Sequence, residues 1–197
     1  MNFANKLTLL RILLVPVFIA SLYLPQIFPA TITWYRWLAA LIFLFAALTD
    51  IFDGKYARKH HLVTDFGKLM DPIADKLLTV SALIMLIVLE DGTEHALLHP
   101  IEAIVLIARE FIISGFRLIA ASKGVVIAAG KLGKLKTTCM DIGIVALLLY
   151  EQFPFRYLNP ALDIIVHIFM YLTLALSVVS CIEYIVKNKE VINFHDC

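Results

Sequence analysis

The 197-residue sequence is poor in charge: Asp, Glu, Lys and Arg make up 17%, where a soluble domain carries about 25%. Apolar residues account for 61%, so a bilayer is the expected solvent for most of the chain. The formal net charge is only +1, which removes any general electrostatic case for a nucleic-acid partner. Three cysteines, Cys139, Cys181 and Cys197, stand apart without metal-like spacing. They argue against both a disulfide scaffold and a structural zinc site. No internal repeat is strong enough for an inverted-repeat transporter, and no polar stretch is large enough to bury a separate soluble core. The first apolar run lacks a convincing small-residue cleavage site and holds Arg11 inside it, so it reads as a retained helix rather than a signal peptide.

Six segments supply most of the roughly 20 residues needed to cross a hydrocarbon core. They run from Leu7 to Leu24, Thr33 to Phe52, Pro72 to Leu89, Pro100 to Ala120, Thr137 to Tyr150 and Pro160 to Val186. The fifth is short unless it begins near Gly133, and the last is long enough to tilt. Runs such as IFLFAAL and ALIMLIVL lack the alternation of barrel strands, and a backbone in lipid must satisfy its own hydrogen bonds. The expectation is an all-α integral membrane protein, a six-transmembrane-helix bundle forming a single domain over residues 1–197. Placing both termini in the cytoplasm puts nearly every Lys and Arg on that side and leaves only Arg36 and Arg156 opposite, with Arg109 inside a helix. By the positive-inside rule the loops near 53–71 and 121–136 then face the cytoplasm. This describes a multi-pass protein of the cytoplasmic (inner) membrane with its chemistry on the cytoplasmic side.

That chemistry is concentrated in DIFDGKYARKHHLVTDFGKLMDPIADK, Asp50 to Lys76. Asp50 and Asp53 are three apart and Asp71 and Asp75 four apart, so each pair can share one helix face. Four carboxylates converging beside hydrocarbon would be costly without cations. Their all-oxygen chemistry suits Mg²⁺, Mn²⁺ or Ca²⁺. Arg58 can offer two parallel bonds to a phosphate, while Gly54 and Gly67 allow close approach to the backbone. Asp75, one turn deeper than Asp71, is the better candidate to accept a proton from an attacking hydroxyl. Pro72 suits a first helical position, with Asp71 before it as a cap.

The spacing D-x2-D-G-x2-A-R-x8-G-x3-D-x3-D, met here by Asp50, Asp53, Gly54, Ala57, Arg58, Gly67, Asp71 and Asp75, resembles the signature of the CDP-alcohol phosphotransferase family. The opening NKLTLLRILLVPVF, the segment FGKLMDPIADKLL, Arg109 and Glu110, Arg117 and GKLKT at Gly133 to Thr137 are similar to its bacterial phosphatidylglycerophosphate synthase branch. Lys55 and Met140 depart from that pattern, the latter standing where Gln is frequent. The resemblance implies a six-helix bundle, commonly a homodimer, with a polar cavity open to the cytoplasm. It assigns Asp50, Asp53, Asp71 and Asp75 to a metal centre holding two Mg²⁺ ions, with Mn²⁺ as the alternative, and Asp75 also to the catalytic base. It places Asp50, Gly54, Ala57, Arg58, Gly67 and Asp71 around the cytidine nucleotide and its diphosphate.

The implied partners are CDP-diacylglycerol, glycerol 3-phosphate and membrane lipids. Thr8, Arg11, Arg109, Arg117, Lys134 and Lys136 are the expected residues of the acceptor subsite and polar cavity, with Asn5 nearby. Their positive charge favours an anionic acceptor, and an ionisable group inside a membrane helix points to function. Glu110 beside Arg109 also offers it a structural partner, and Arg117 could snorkel to the interface. Inositol phosphate is the competing acceptor. Outside the enzyme class, a transporter or channel would distribute its charges through the membrane's depth rather than gather carboxylates at one face.

Overall fold

The computed structural model describes residues 3–28, 34–60, 65–89, 97–125, 127, 130–150 and 160–188; at 3–5, 50–60, 65–69, 71, 72, 75, 131 and 160–163 it describes the backbone alone. Seven α-helices account for nearly all of these residues: α1 (Phe3–Leu22), α2 (Leu24–Ile27), α3 (Tyr35–His60), α4 (Asp65–Val88), α5 (Pro100–Ser122), α6 (Lys131–Tyr150) and α7 (Pro160–Lys187). The six long helices coincide with the six apolar segments. The four-residue α2, with Pro25 in its first turn, occupies part of the connection that follows the first.

The helices outrun the apolar segments where charge begins. α3 continues through GKYARKH to His60 and α4 starts at Asp65, so most of the stretch expected as a loop at 53–71 is helical. Hydropathy marks where lipid ends, whereas Lys, Arg and Ala favour helix in water too. Pro72 consequently lies inside α4, seven residues beyond its start, and Asp71 is not a helix cap. α6 begins at Lys131, which gives the fifth apolar segment its missing length.

Two helix ends illustrate the local rules. At α5, His99 is extended as the residue before proline must be, and its Nδ1 accepts the Ile101 N–H at 3.3 Å while Pro100 takes the first turn. At the other end Gly124 adopts φ +75°, and the Val125 and Gly124 N–H groups return to the Ala120 and Ala121 carbonyls at 2.9 and 3.0 Å. This left-handed glycine cap stops α5 and turns the chain towards α6.

α1 packs on α3 and α4, α6 on α7 and α3, and α5 on α7 and α4. The core between α1 and α3 is set by Val15, Phe18 and Leu22 against Ala39, Ala40, Phe43 and Ala46, with the Phe18 and Phe43 rings 6.0 Å apart. Alanines at such a seam let helix backbones approach closely. On α6, Gly143 does the same for α7: a Cβ there would stand 2.6 Å from Met170 Sδ.

The distribution of polarity is inverted relative to a water-soluble bundle. Thr8, Arg11, Thr49, Lys136, Thr173, Ser177 and Ser180 are buried, while Leu41, Ile101, Ile104, Phe111, Leu118 and Ile182 face outward. An apolar surface of this extent suits contact with lipid. Ile164–Lys187 is long and apolar enough to span a membrane, and Tyr35–Thr49 and Lys76–Val88 form shorter apolar helices. The protein is membrane-associated.

Candidate functional site

The side chains of Asp50, Asp53, Gly54, Ala57, Arg58, Gly67, Asp71 and Asp75 lie outside the described residues, but their backbone positions do not. Asp50 and Asp53 stand ten and seven residues before the end of α3, and Asp71 and Asp75 six and ten residues after the start of α4. At 1.5 Å per residue, Asp50 and Asp75 are each about 15 Å from the α3–α4 connection, and Asp53 and Asp71 about 9–11 Å. Positions equally distant from a four-residue connection lie level when the two helices run back along one another, and α3 and α4 do pack together. All four are helical, so each pair keeps one helix face. The donor set contains only carboxylate oxygens, the chemistry of a Mg²⁺ or Mn²⁺ site. Among the described residues no three His, Cys, Asp or Glu side chains gather as a metal site.

Arg11 and Thr8 lie at this level of α3. Arg11 is 1% exposed, and its Nε donates to the Ala46 carbonyl at 3.4 Å. Thr49 Oγ1 donates to the same carbonyl at 2.7 Å. Ala46 is one helical turn from Asp50, so a buried guanidinium sits beside the first carboxylate position. Thr8, one turn before Arg11 on α1, is also buried.

Three of the remaining expected cations, Arg109, Arg117 and Lys136, lie where α5, α6 and α7 meet. Arg109 donates from Nη1 to Glu110 Oε1 at 2.8 Å and from Nη2 to Ser180 Oγ at 2.9 Å. Lys136 Nζ donates to that same Glu110 oxygen, which ties α6 to α5. Lys136 is 0% exposed. Lys134, two residues earlier, faces outward, so the two lysines of GKLKT occupy different environments. Arg117 lies over the Tyr184 ring, 5.6 Å from its centroid, and Phe116 meets that ring edge-on at 5.7 Å.

Arg109 and Arg117 open into a cleft of about 210 Å³ whose wall also includes Gly130, Gly133, Ser180 and Tyr184. Its size matches a small polar molecule. Arg109 Nε and Tyr184 Oη are buried without a hydrogen-bond partner among the described residues. Unspent donors beside a cavity are costly unless a ligand or water answers them. Gly133 packs close to Arg109, a Cβ there reaching 3.7 Å from Nη2.

The structure therefore brings Arg109 and Arg117 into one cleft, places Lys136 behind it, leaves Lys134 outside, and sets Thr8 and Arg11 against α3. The α7 contribution, Ser180 and Tyr184, escaped the sequence reading. Its signal was present: Thr173, Ser177, Ser180 and Tyr184 recur at intervals of four, three and four, a polar line along the otherwise most apolar helix.

Comparison with known proteins bears on this arrangement. Residues 1–179 match the family model described as CDP-alcohol phosphatidyltransferase. The chain is 40% identical over 196 residues to a Bacillus subtilis CDP-diacylglycerol–glycerol-3-phosphate 3-phosphatidyltransferase, covering 96% of each chain. Proteins of the same description from Rickettsia felis and Shigella flexneri are each 37% identical, over 174 and 165 residues. Those alignments cover 88% and 82% of this chain and 90% and 84% of the relatives.

Proposed function

The chain belongs to the CDP-alcohol phosphatidyltransferase family, and from that membership we propose that it transfers the phosphatidyl group of CDP-diacylglycerol to glycerol 3-phosphate, giving phosphatidylglycerophosphate and CMP. The observation that carries the reading is the 40% identity to a relative of that activity along 96% of both chains. The eight signature residues from Asp50 to Asp75 and the cationic cleft at Arg109 and Arg117 supply chemistry the reaction needs.

In this proposal residues 1–197 form one domain that crosses the cytoplasmic membrane six times, with both termini and the polar cavity on the cytoplasmic side. Its charge asymmetry supports that orientation. A two-fold homodimer is the assembly that closed symmetry favours. Asp50, Asp53, Asp71 and Asp75 hold two divalent ions, Mg²⁺ or Mn²⁺. When bound, such ions neutralise the donor diphosphate and the charge that grows on departing CMP.

The protein's own residues do the rest. Arg58 binds the diphosphate, and Gly54, Ala57 and Gly67 leave room for the nucleotide to approach the helix backbones. Arg109 and Arg117 hold the phosphate of glycerol 3-phosphate, with the buried Arg109 Nε and Tyr184 Oη available to its oxygens. A glycerol hydroxyl then attacks the lipid-linked phosphorus. Its oxygen–phosphorus bond forms as the bond to CMP breaks, and Asp75 takes the hydroxyl proton. Acyl chains remain among the outward apolar side chains.

Purified protein in detergent with CDP-diacylglycerol and Mg²⁺ tests this directly, comparing glycerol 3-phosphate, inositol 1-phosphate, serine and no acceptor. CMP release with glycerol 3-phosphate, together with the phosphorylated lipid product, is expected. Selective use of inositol 1-phosphate would replace the acceptor and keep the chemistry. No reaction with any acceptor by folded protein would reject the enzyme reading.

A further inference from the structure

Lys136 is a fully buried cation that does not line the cleft, and the reaction just described gives it no task. Its partner Glu110 is likewise absent from the cleft wall, yet the same Glu110 oxygen also accepts from Arg109, which does line it. Counting these three bonded ions, two positive and one negative, leaves one positive charge. Arg109 alone among them faces the cavity. Asp141, five residues further along α6, adds a weaker attraction to Lys136.

We propose that Lys136 is a positioning residue that neutralises Glu110 and thereby leaves the charge of Arg109 free for an anionic acceptor. Glu110 fixes the Arg109 guanidinium from one side and Ser180 from the other, at 2.8 and 2.9 Å. Without a second cation, the carboxylate that orients Arg109 would also cancel it. Lys136 supplies that cation from behind, where it cannot compete for the ligand. The device accounts for two lysines in GKLKT with opposite exposures: only Lys136 faces inward, and it faces a carboxylate.

This inference rests on the acceptor reading of the cleft, and it makes a prediction that direct acceptor contact by Lys136 does not. Removing one member of a buried ion pair leaves the other uncompensated, whereas replacing both is close to neutral. Lys136→Met leaves Glu110 to Arg109 alone, so KM for glycerol 3-phosphate should rise about tenfold, the size of one lost charge-assisted bond. KM for CDP-diacylglycerol should stay within about threefold by the same reasoning, because none of the three bonded groups belongs to the Asp50 to Asp75 signature. The double variant Glu110→Gln with Lys136→Met restores one uncancelled charge at Arg109. It should bring acceptor KM back to within about threefold of wild type.

The experiment is steady-state CMP release in detergent with each substrate varied, on wild type, Lys136→Met and the double variant. Recovery in the double variant supports the proposal. A double variant as impaired for acceptor as Lys136→Met, or more so, would overturn it and assign Lys136 to the acceptor itself. If Lys136→Met alone does not fold, the double variant still decides: wild-type acceptor KM supports the proposal and a tenfold increase rejects it. Failure of wild type to use glycerol 3-phosphate would refute the acceptor reading instead, a result separate from either.

Discussion

Replacing Arg109 by Met removes the guanidinium while keeping a long side chain against Gly133 and Ser180. Glu110 retains Lys136, so no buried charge is orphaned. The structural loss is one bond to Glu110 and one to Ser180, a cost of about 1–3 kcal/mol in stability. For function, the acceptor phosphate loses a charge-assisted hydrogen bond worth about 1.5–3 kcal/mol, which converts to roughly a 10- to 150-fold fall in kcat/KM for glycerol 3-phosphate. Arg109 is on α5 and is not one of the eight Asp50 to Asp75 signature residues, so donor KM should change little. Arg109→Lys should fall between the two because an ammonium must divide its donors among Glu110, Ser180 and the ligand without the planar fork. CMP release with each substrate varied in turn measures both constants, and retained donor saturation reports the fold. The reasoning is refuted if Arg109→Met keeps kcat/KM for glycerol 3-phosphate within twofold of wild type, or if donor and acceptor parameters decline together.

Three further outcomes are expected. Asp75→Asn should bind CDP-diacylglycerol but lower turnover by about 10²- to 10⁴-fold, the range for loss of a general base; near-normal turnover would remove Asp75 from that role. Treatment with a divalent-cation chelator should abolish CMP release and added Mg²⁺ restore it, whereas activity persisting in a metal-free sample would contradict the four-aspartate assignment. At Gly143, Ala gains about 1 kcal/mol of helix propensity against an overpacking cost of roughly 1–3 kcal/mol, and the thioether of Met170 can swing aside. Gly143→Ala should therefore melt within a few degrees of wild type, while Gly143→Leu should melt clearly lower and recover when combined with Met170→Ala. An unaffected Gly143→Leu would show that the α6–α7 seam is looser than the 2.6 Å approach to Met170 Sδ implies.

The six long helices were legible because each contains a continuous apolar run without the alternation of a strand. Their ends were less so. Hydropathy falls away at Asp53, but the backbone continues in helix to His60, since charge ends a hydrophobic segment without ending a hydrogen-bond ladder. Pro72 misled for a related reason: it is as compatible with a first turn as with an interior site in a membrane protein, and only the helix beginning at Asp65 decides between them. The four aspartates are proposed from spacing and family resemblance, and their side chains lie outside the described residues. Arg109 and Arg117 were recognisable as cations in an apolar context, yet their meeting with Ser180 and Tyr184 depends on how α5 crosses α7, which no local pattern encodes. Lys134 and Lys136 look equivalent on paper. A two-residue step turns roughly 200° around a helix, which is why one is outside and the other sealed.

The reversed distribution of polarity also governs how this chain can drift. At outward positions such as Leu118, 73% exposed, any apolar side chain serves the lipid, so Leu, Ile, Val and Phe are interchangeable while a carboxylate is not. At inward positions such as Thr173 and Ser177, both 0% exposed, volume is the constraint, and Ser, Ala, Thr and Gly form the permitted set. A substitution matrix drawn from water-soluble proteins would misjudge both classes, penalising harmless exchanges on the outside and excusing bulky apolar ones within. The seams tolerate smallness and the surface tolerates variety of shape.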